Sequence, residues 1–405
     1  MEPPLSGVRA LEVASHVFVP MAGSVLTEWG AQVVKIEHPV SGDPYRGLVT
    51  VGLHNVYRGV DTFFQSANRG KRSVAIDLTT NDGRDLLSKM VKDADVFLTS
   101  FRPGARQRLR IDVDDIRKDN PSTIYVLGTA FGARGPDANR GGYDVGAYWA
   151  RSGMQHLLTP AGATWPETAR PSFGDVVGGL TIAGAISAAL YRRAVTEETA
   201  VIHASLLASG MWQVQPEIVN AGLEDEETPR RAPDRYAVWN PLMLPYRTSD
   251  DRFVALSMLA PDRSWPELCT ALGREEMATD PRYLDMDARR QNARSCVQDL
   301  EALFVQRTLA EWRVVLADIA GEWAPVQTPR ELHSDPQVVA NGYIAAVDIG
   351  NGASLPLVTS PVQFDGKPGN PTRAPEHGEH TEEVLLEMGL TWTEISELKE
   401  TGAIL

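Results

Sequence analysis

The stretch ALEVASHVFVPMAGSVLTEWGAQVVKIE, residues 10–37, reads as strand, helix, strand. Ala10–Ala14 and Gln32–Glu37 are short apolar runs, and Met21–Trp29 between them fits a helix. The alternation continues outward. Ser73–Leu78, Asp95–Phe101 and Thr123–Gly128 are further strands, and Ala200–Ser205 resembles another. Thr80–Ala94 is an amphipathic helix with Leu86, Leu87, Met90 and Val91 at helical spacing. Strands separated by helices predict an α/β fold with a mostly parallel, covered sheet.

The 405 residues carry 39 basic and 53 acidic side chains, a formal net charge of −14. A chain this acidic is repelled by phosphate backbones and anionic lipid, so no nucleic acid and no membrane surface is expected as a partner. Two cysteines, Cys269 and Cys296, make no disulfide framework. The N-terminus lacks the basic start and apolar stretch of a secretory signal, so the expected location is cytoplasmic. Val176–Tyr191 is uncharged but short for a membrane span, and its helix, read over Val176–Arg193, is apolar on nearly every side. A buried helix, packed all round, is the expectation.

At this length two domains are expected. Leu223–Arg231 is charged and looks like a linker, and no glycine occurs between Gly222 and Gly273. The boundaries this suggests are 1–222, 223–328 and 329–405, with helices in the middle part and mixed character after it. Ser249–Arg252 reads as the turn before a hairpin arm at Phe253–Ser257. Ser264 with Glu267 and Thr308 with Glu311 have capping-box spacing. Thr391–Lys399 reads as a capped helix. The loop Pro39–Asn68 has little periodicity and is expected to be a surface excursion.

No GxGxxG follows the first strand, and no GxxxxGK[ST] or GxSxG occurs. His377 and His380 lie close together in PEHGEH, but their spacing fits no strong metal motif, and no metal is expected. The informative segment is RPSFGDVVGGLTIAGAISAALYRR, residues 170–193. One aspartate, Asp175, precedes an uncharged helix. It can be a helix N-cap. It can also be a nucleophilic carboxylate, kept ionised by the helix dipole, with glycines leaving room for substrate and free N–H groups for an oxyanion. Lys71, Arg72, Arg102, Arg106 and Arg108 cluster near strand ends, as an anion site or as solvated surface charge.

Taken in order, ALEVASHVFVPMAGSVLTEWGAQVVKIEHPVSGDPYR, NRGKRSVAIDL, ADVFLTSFRPGARQRL and the FGD-helix segment resemble the family III CoA-transferases, the formyl-CoA and carnitinyl-CoA transferase relatives. The resemblance covers almost the whole chain. It implies a Rossmann-like large domain built from both chain ends, a smaller middle domain, and an interlocked homodimer. It implies an acyl-CoA:carboxylate CoA-transferase with coenzyme A carried in as acyl-CoA, a free carboxylic acid as the other substrate, and Asp175 passing through a mixed anhydride and an aspartyl-CoA thioester. It also implies CoA contacts at Ser15, His16, Val17, Phe18, His38, Ile76, Ser100, Phe101 and Arg108, with Tyr143 closing over the thioester.

Some positions depart from the family. His38 stands where some relatives have an adenine-side arginine, and Ser100 replaces a common asparagine. The related α-methylacyl-CoA racemases carry a histidine in a GHD-like segment that here reads Gly142-Tyr143-Asp144. Tyrosine, with an unperturbed pKa of about 10, is a poor base, which favours transfer over racemisation. The glycine-run lid of some transferases is missing, and Tyr236, Trp239, Pro241 and Met243 imply a bulkier, more apolar acid pocket. The alternatives are a racemase or epimerase of acyl-CoA, and a non-catalytic CoA-binding dimer.

Overall fold

The computed structural model describes residues 2–160, 162–223, 234–350 and 352–405. Most of the expected linker, residues 224–231, lies outside the described residues. The chain divides into two compact units. The larger comprises Met1–Gln155, Thr168–Glu226 and Pro336–Leu405, and the smaller His156–Glu167 and Glu227–Asp335.

The larger unit is built on six parallel strands: β1 (Arg9–Val13), β2 (Gln32–Glu37), β3 (Arg72–Ala75), β4 (Val96–Thr99), β5 (Ile124–Thr129) and β6 (Val201–Ser205). Their order across the sheet is β3-β2-β1-β4-β5-β6. Leu11 of β1 pairs with Val34 on one side and Phe97 on the other. Such strands are covered on both faces, which is why they are valine-rich rather than alternating. One face packs Leu11, Val13, Val74, Ile76, Phe97 and Tyr125 against Leu86, Leu87, Met90 and Val91 of helix α2 (Asn81–Val91). Val384, Leu385 and Ile395 of the C-terminal helices join this core. The C-terminal segment is tied to the edge strand: Ala75 N–H donates to Thr381 Oγ1 at 2.9 Å, and Gly378 N–H to Ser73 Oγ at 2.9 Å.

Helices α1 (Phe18–Glu28) and α3 (Phe173–Thr196) pack against one another. Gly178 and Gly179 of α3 permit this, since a β-carbon there would overlap Phe18 and Met21. Helix α3 corrects two expectations. It is longer than Val176–Arg193, at 24 residues long and apolar enough to cross a membrane by length and composition. It is also not packed all round: Val176, Val177, Thr181, Gly184, Ala188 and Tyr191 leave one face exposed within the chain.

The Pro39–Asn68 loop is also more structured than its sequence suggests. It contains a helix, Thr62–Asn68, capped by Asp61, and it buries Asp43, Tyr45, Phe64 and Gln65. Its lack of periodicity reflects polar groups buried in pairs, which no hydrophobic pattern records.

In the smaller unit, Pro245–Arg247 and Phe253–Leu256 form the expected hairpin, joined by Trp323–Pro325. Helices around it bury Trp265, Trp312, Tyr246, Phe304, Cys269 and Cys296. Thr308 makes its capping box with Glu311, whereas Ser264 does not cap: its helix runs Pro261–Ala271, so Ser264 sits inside it. Pro261 supplies the earlier start, since its fixed φ suits a first helical position.

Candidate active site

The strand order reverses between β1 and β4, so the loops leaving these two strands diverge and open a crevice at their carboxyl ends. A cavity of about 450 Å³ lies there. Its lining includes Ser15, His16 and Phe18 after β1, and Ser100, Phe101 and Arg102 after β4. Gly128, Arg140, Tyr143, Leu206 and Asp175 complete much of the wall. A second cavity of about 210 Å³ shares Ser15 and Phe101 and is lined also by His38, Ser41, Ile76, Asp77 and Leu109. Residues spread from Ser15 to Leu206 thus meet at one end of the sheet.

Asp175 lies in the first turn of α3, three residues after the N-cap Ser172, so it is not the cap. The capping carboxylate is Asp144. Its Oδ1 accepts the Gly174 N–H at 2.7 Å, and Tyr148 packs where a Gly174 β-carbon would stand. Of the N–H groups at the helix start, that of Gly174 is therefore taken, and Gly174, Gly178 and Gly179 make room for the side chains of Tyr148, Phe18 and Met21. A π-helical turn, Val145–Ala150, follows Asp144 and places Tyr148 and Trp149 against the start of α3.

The Asp175 carboxylate has no hydrogen bond and no ion pair among the described residues, and it lines the cavity. Burial raises its pKa, and the charge of Asp144 raises it further, to about 7. Desolvation and the like charge of Asp144 thus work against the helix dipole, which favours the ionised form. Burial likewise raises the Asp144 pKa against the opposing bond from Gly174.

His16 sits at φ 66°, a left-handed conformation, and its ring meets the ring of Tyr143 edge-on at 5.2 Å. Burial lowers its pKa, favouring neutral imidazole. Ser100 Oγ accepts the Ser15 N–H at 3.3 Å, which ties the loop after β4 to the loop after β1. The His38 Nε2 stands 3.8 Å from Asp77 Oδ1, while its Nδ1 accepts the Val40 and Ser41 N–H groups.

Two expected CoA contacts lie outside both cavities. Val17 is buried among Met21, Tyr45, Phe64 and Ala67, and Arg108 is exposed on the helix Pro103–Leu109. The basic cluster divides: Arg102 and Arg106 line the first cavity, and the others do not. Lys71 is buried against Glu12, Arg72 pairs with Glu387, and Arg106 with Asp112. Arg102 and Arg108 keep no ion pair among the described residues. His377 and His380 bond the backbone: His377 Nε2 lies 3.0 Å from His38 O, and His380 Nδ1 accepts the Ser73 N–H. The role of Asp144 was not readable beforehand, because nothing local to GYD signals a helix beginning thirty residues later.

A family model described as CoA-transferase family III matches residues 5–381. The chain is 30% identical over 403 residues to a cinnamoyl-CoA:phenyllactate CoA-transferase of Clostridium sporogenes, covering 99% of this chain and 97% of that protein. It is 28% identical to an (R)-2-hydroxy-4-methylpentanoate CoA-transferase of Clostridioides difficile, covering 99% of each. Among solved structures, that of a CaiB/BaiF family protein from Brucella suis is similar at TM-score 0.83 and 27% identity, covering 96% of this chain and 100% of that one.

Proposed function

The chain belongs to CoA-transferase family III and is a CoA-transferase; from that premise we propose that it transfers coenzyme A from an acyl-CoA to a free carboxylic acid through covalent acylation of Asp175. The observation that carries this reading is an unpaired carboxylate facing a cavity at the switch point of a parallel sheet. A carboxylate already bound by an arginine or by amide groups would be a weaker nucleophile.

The proposed steps balance without an external acid or base. An Asp175 oxygen attacks the acyl carbon, the C–S bond breaks, and CoA leaves as thiolate with a mixed anhydride behind it. The thiolate attacks the aspartyl carbonyl, the anhydride C–O bond breaks, and the donor acid leaves as carboxylate. The acceptor carboxylate then attacks the aspartyl-CoA thioester, re-forming an anhydride and thiolate. Attack of that thiolate on the acceptor acyl carbon returns Asp175 and releases the new acyl-CoA. One thioester is exchanged for another, so no ATP is required.

In this reading the thioester lies beside Asp175 and the adenine end occupies the cavity of His38 and Ile76. The apolar walls at Phe18, Phe101 and Leu206 suit an acid with an apolar body, and Arg102 and Arg140 offer charge to its carboxylate. Phenyllactate and 2-hydroxy-4-methylpentanoate, named for the two relatives above, are acids of that kind, and we propose such acids as acceptors. We further propose a cytoplasmic homodimer in which a second copy covers the open face of α3.

The test is to incubate the protein with acyl-CoA, add hydroxylamine, and map the product by peptide mass. The expected result is a hydroxamate on Asp175. Absence of any adduct, with Asp175→Asn still exchanging label, would overturn the mechanism. A second reading, α-proton exchange, has one observation behind it: His16 shares the cavity with Asp175. Solvent deuterium appearing at the α-carbon without CoA transfer would favour it.

A further inference from the structure

We propose that Asp43 is a positioning residue for the transfer reaction: its buried carboxylate fixes the Ser15–Val17 turn so that the His16 imidazole faces the Asp175 cavity. The inference rests on the reading of that cavity as the transfer site. His16 is a non-glycine residue at φ 66°, a conformation that persists only where its surroundings impose it. Three contacts do so. Lys35 Nζ donates to Ala14 O at 2.9 Å, Ser100 Oγ accepts the Ser15 N–H, and Asp43 Oδ1 accepts the His16 N–H at 3.1 Å. The same Asp43 oxygen accepts the Tyr45 N–H at 2.9 Å, so one atom ties the turn after β1 to the loop after β2. Tyr45 in turn sets its ring edge-on to His16 at 6.2 Å, as Tyr143 does at 5.2 Å.

Asp43 is itself held. Its Oδ2 forms a close ion pair with Lys35 Nζ at 2.8 Å, and its N–H donates to Glu37 Oε2 at 2.9 Å. Lys35 also reaches Glu12 at 3.0 Å, and Glu12 reaches Lys71 at 2.8 Å. Glu37 is bonded by Arg46 and Ser73. Lys35 and Glu12 are fully buried, and Asp43 is 3% exposed. Buried ion pairs of this kind are weak stabilisers, often replaceable by apolar side chains. The part an apolar substitute could not play is acceptance of two backbone N–H groups from separate segments. A neutral His16 held there can donate a hydrogen bond to the thioester carbonyl as charge develops on it.

The test compares Asp43→Ala, Asp43→Asn and the double variant Lys35→Met/Asp43→Asn. The amide keeps an acceptor oxygen but removes the charge facing Lys35, and the double variant leaves no lone charge. With folding checked by thermal melting, Asp43→Ala is expected to lower kcat for CoA exchange by about 100-fold, the scale of a misplaced reacting group, with KM for acyl-CoA changed less than about threefold. Asp43→Asn falls in between, and the double variant, which also gives up the Lys35 bond to Ala14 O, recovers melting temperature but not kcat. The His16 ring, followed by NMR, faces Asp43, Lys35, Tyr45 and Tyr143; losing the Asp43 charge moves its titration midpoint down. An Asp43→Ala protein that melts like wild type and turns over within twofold of it overturns the proposal. If that variant does not fold, the decision passes to Asp43→Asn, where an unmoved His16 midpoint with unchanged kcat overturns it. Wild-type protein that transfers no CoA would instead sink the reading of the site.

Discussion

Two carboxyl groups share the first turn of α3, and their environments divide the work between them. Asp144 is spent on the Gly174 N–H, while Asp175 is left free at the cavity. With its pKa near 7, Asp175 is about half ionised at neutral pH, so the exchange rate should rise with pH through about 7. Asp144→Asn keeps an acceptor for Gly174 but removes the like charge. A pH–rate profile of that variant should show the acid limb moved to lower pH, and a limb that stays in place contradicts the assigned cause. Stability follows the same shift. The folded Asp175 pKa lies above its ordinary 3.8, so the folded state holds the extra proton between about pH 4 and 7. This group's contribution is favourable at low pH and is lost as pH rises through that window. Asp175→Asn should therefore abolish transfer and yet be more stable than wild type by roughly 2–4 kcal/mol at pH 8, with the gap closing towards pH 4. Urea denaturation at the two pH values measures it.

Helix α3 does two jobs with opposite faces. Its buried side lies close to α1 through Gly178 and Gly179, which sets Phe18 beside the cavity that Asp175 lines. Gly178→Ala would drive a β-carbon into the Phe18 ring. The expected outcome is a loss of about 1–3 kcal/mol, read as a lower melting temperature, together with a raised KM for the acyl substrate. A variant that melts unchanged would show that Phe18 can move aside. The other side of α3 carries exposed apolar residues into a cavity of about 960 Å³, lined also by Ile202, His203, Ala208 and Trp212. A helix left half-open in this way explains why the sequence of α3 looked suited to burial on every side.

At the scale of the whole molecule, that open face supports the proposed homodimer, because Tyr191 and Trp212 are 73% and 70% exposed and continue it. Sedimentation should give about twice 44.2 kDa, and the melting temperature should rise with protein concentration. A single species of monomer mass at micromolar concentration would contradict it. Much of both units was legible from local pattern. The strands at Gln32–Glu37 and Thr123–Gly128 and the capping boxes at Thr308 and Thr391 are set by residues within a few positions of one another. The site was legible only through its resemblance and only in part. Asp175 could be singled out, yet Lys71, read as part of an anion site or as surface charge, is buried against Glu12, Asp43 drew no notice, and Asp144 figured only as part of the GYD segment. By itself the sequence determined the alternation of strand and helix and hence a parallel α/β sheet, because periodicity and capping act over one or two turns. Only the tertiary structure decided which carboxylates are capped, paired or free, because desolvation and Coulomb energy depend on segments that the crossovers bring together from distant parts of the chain.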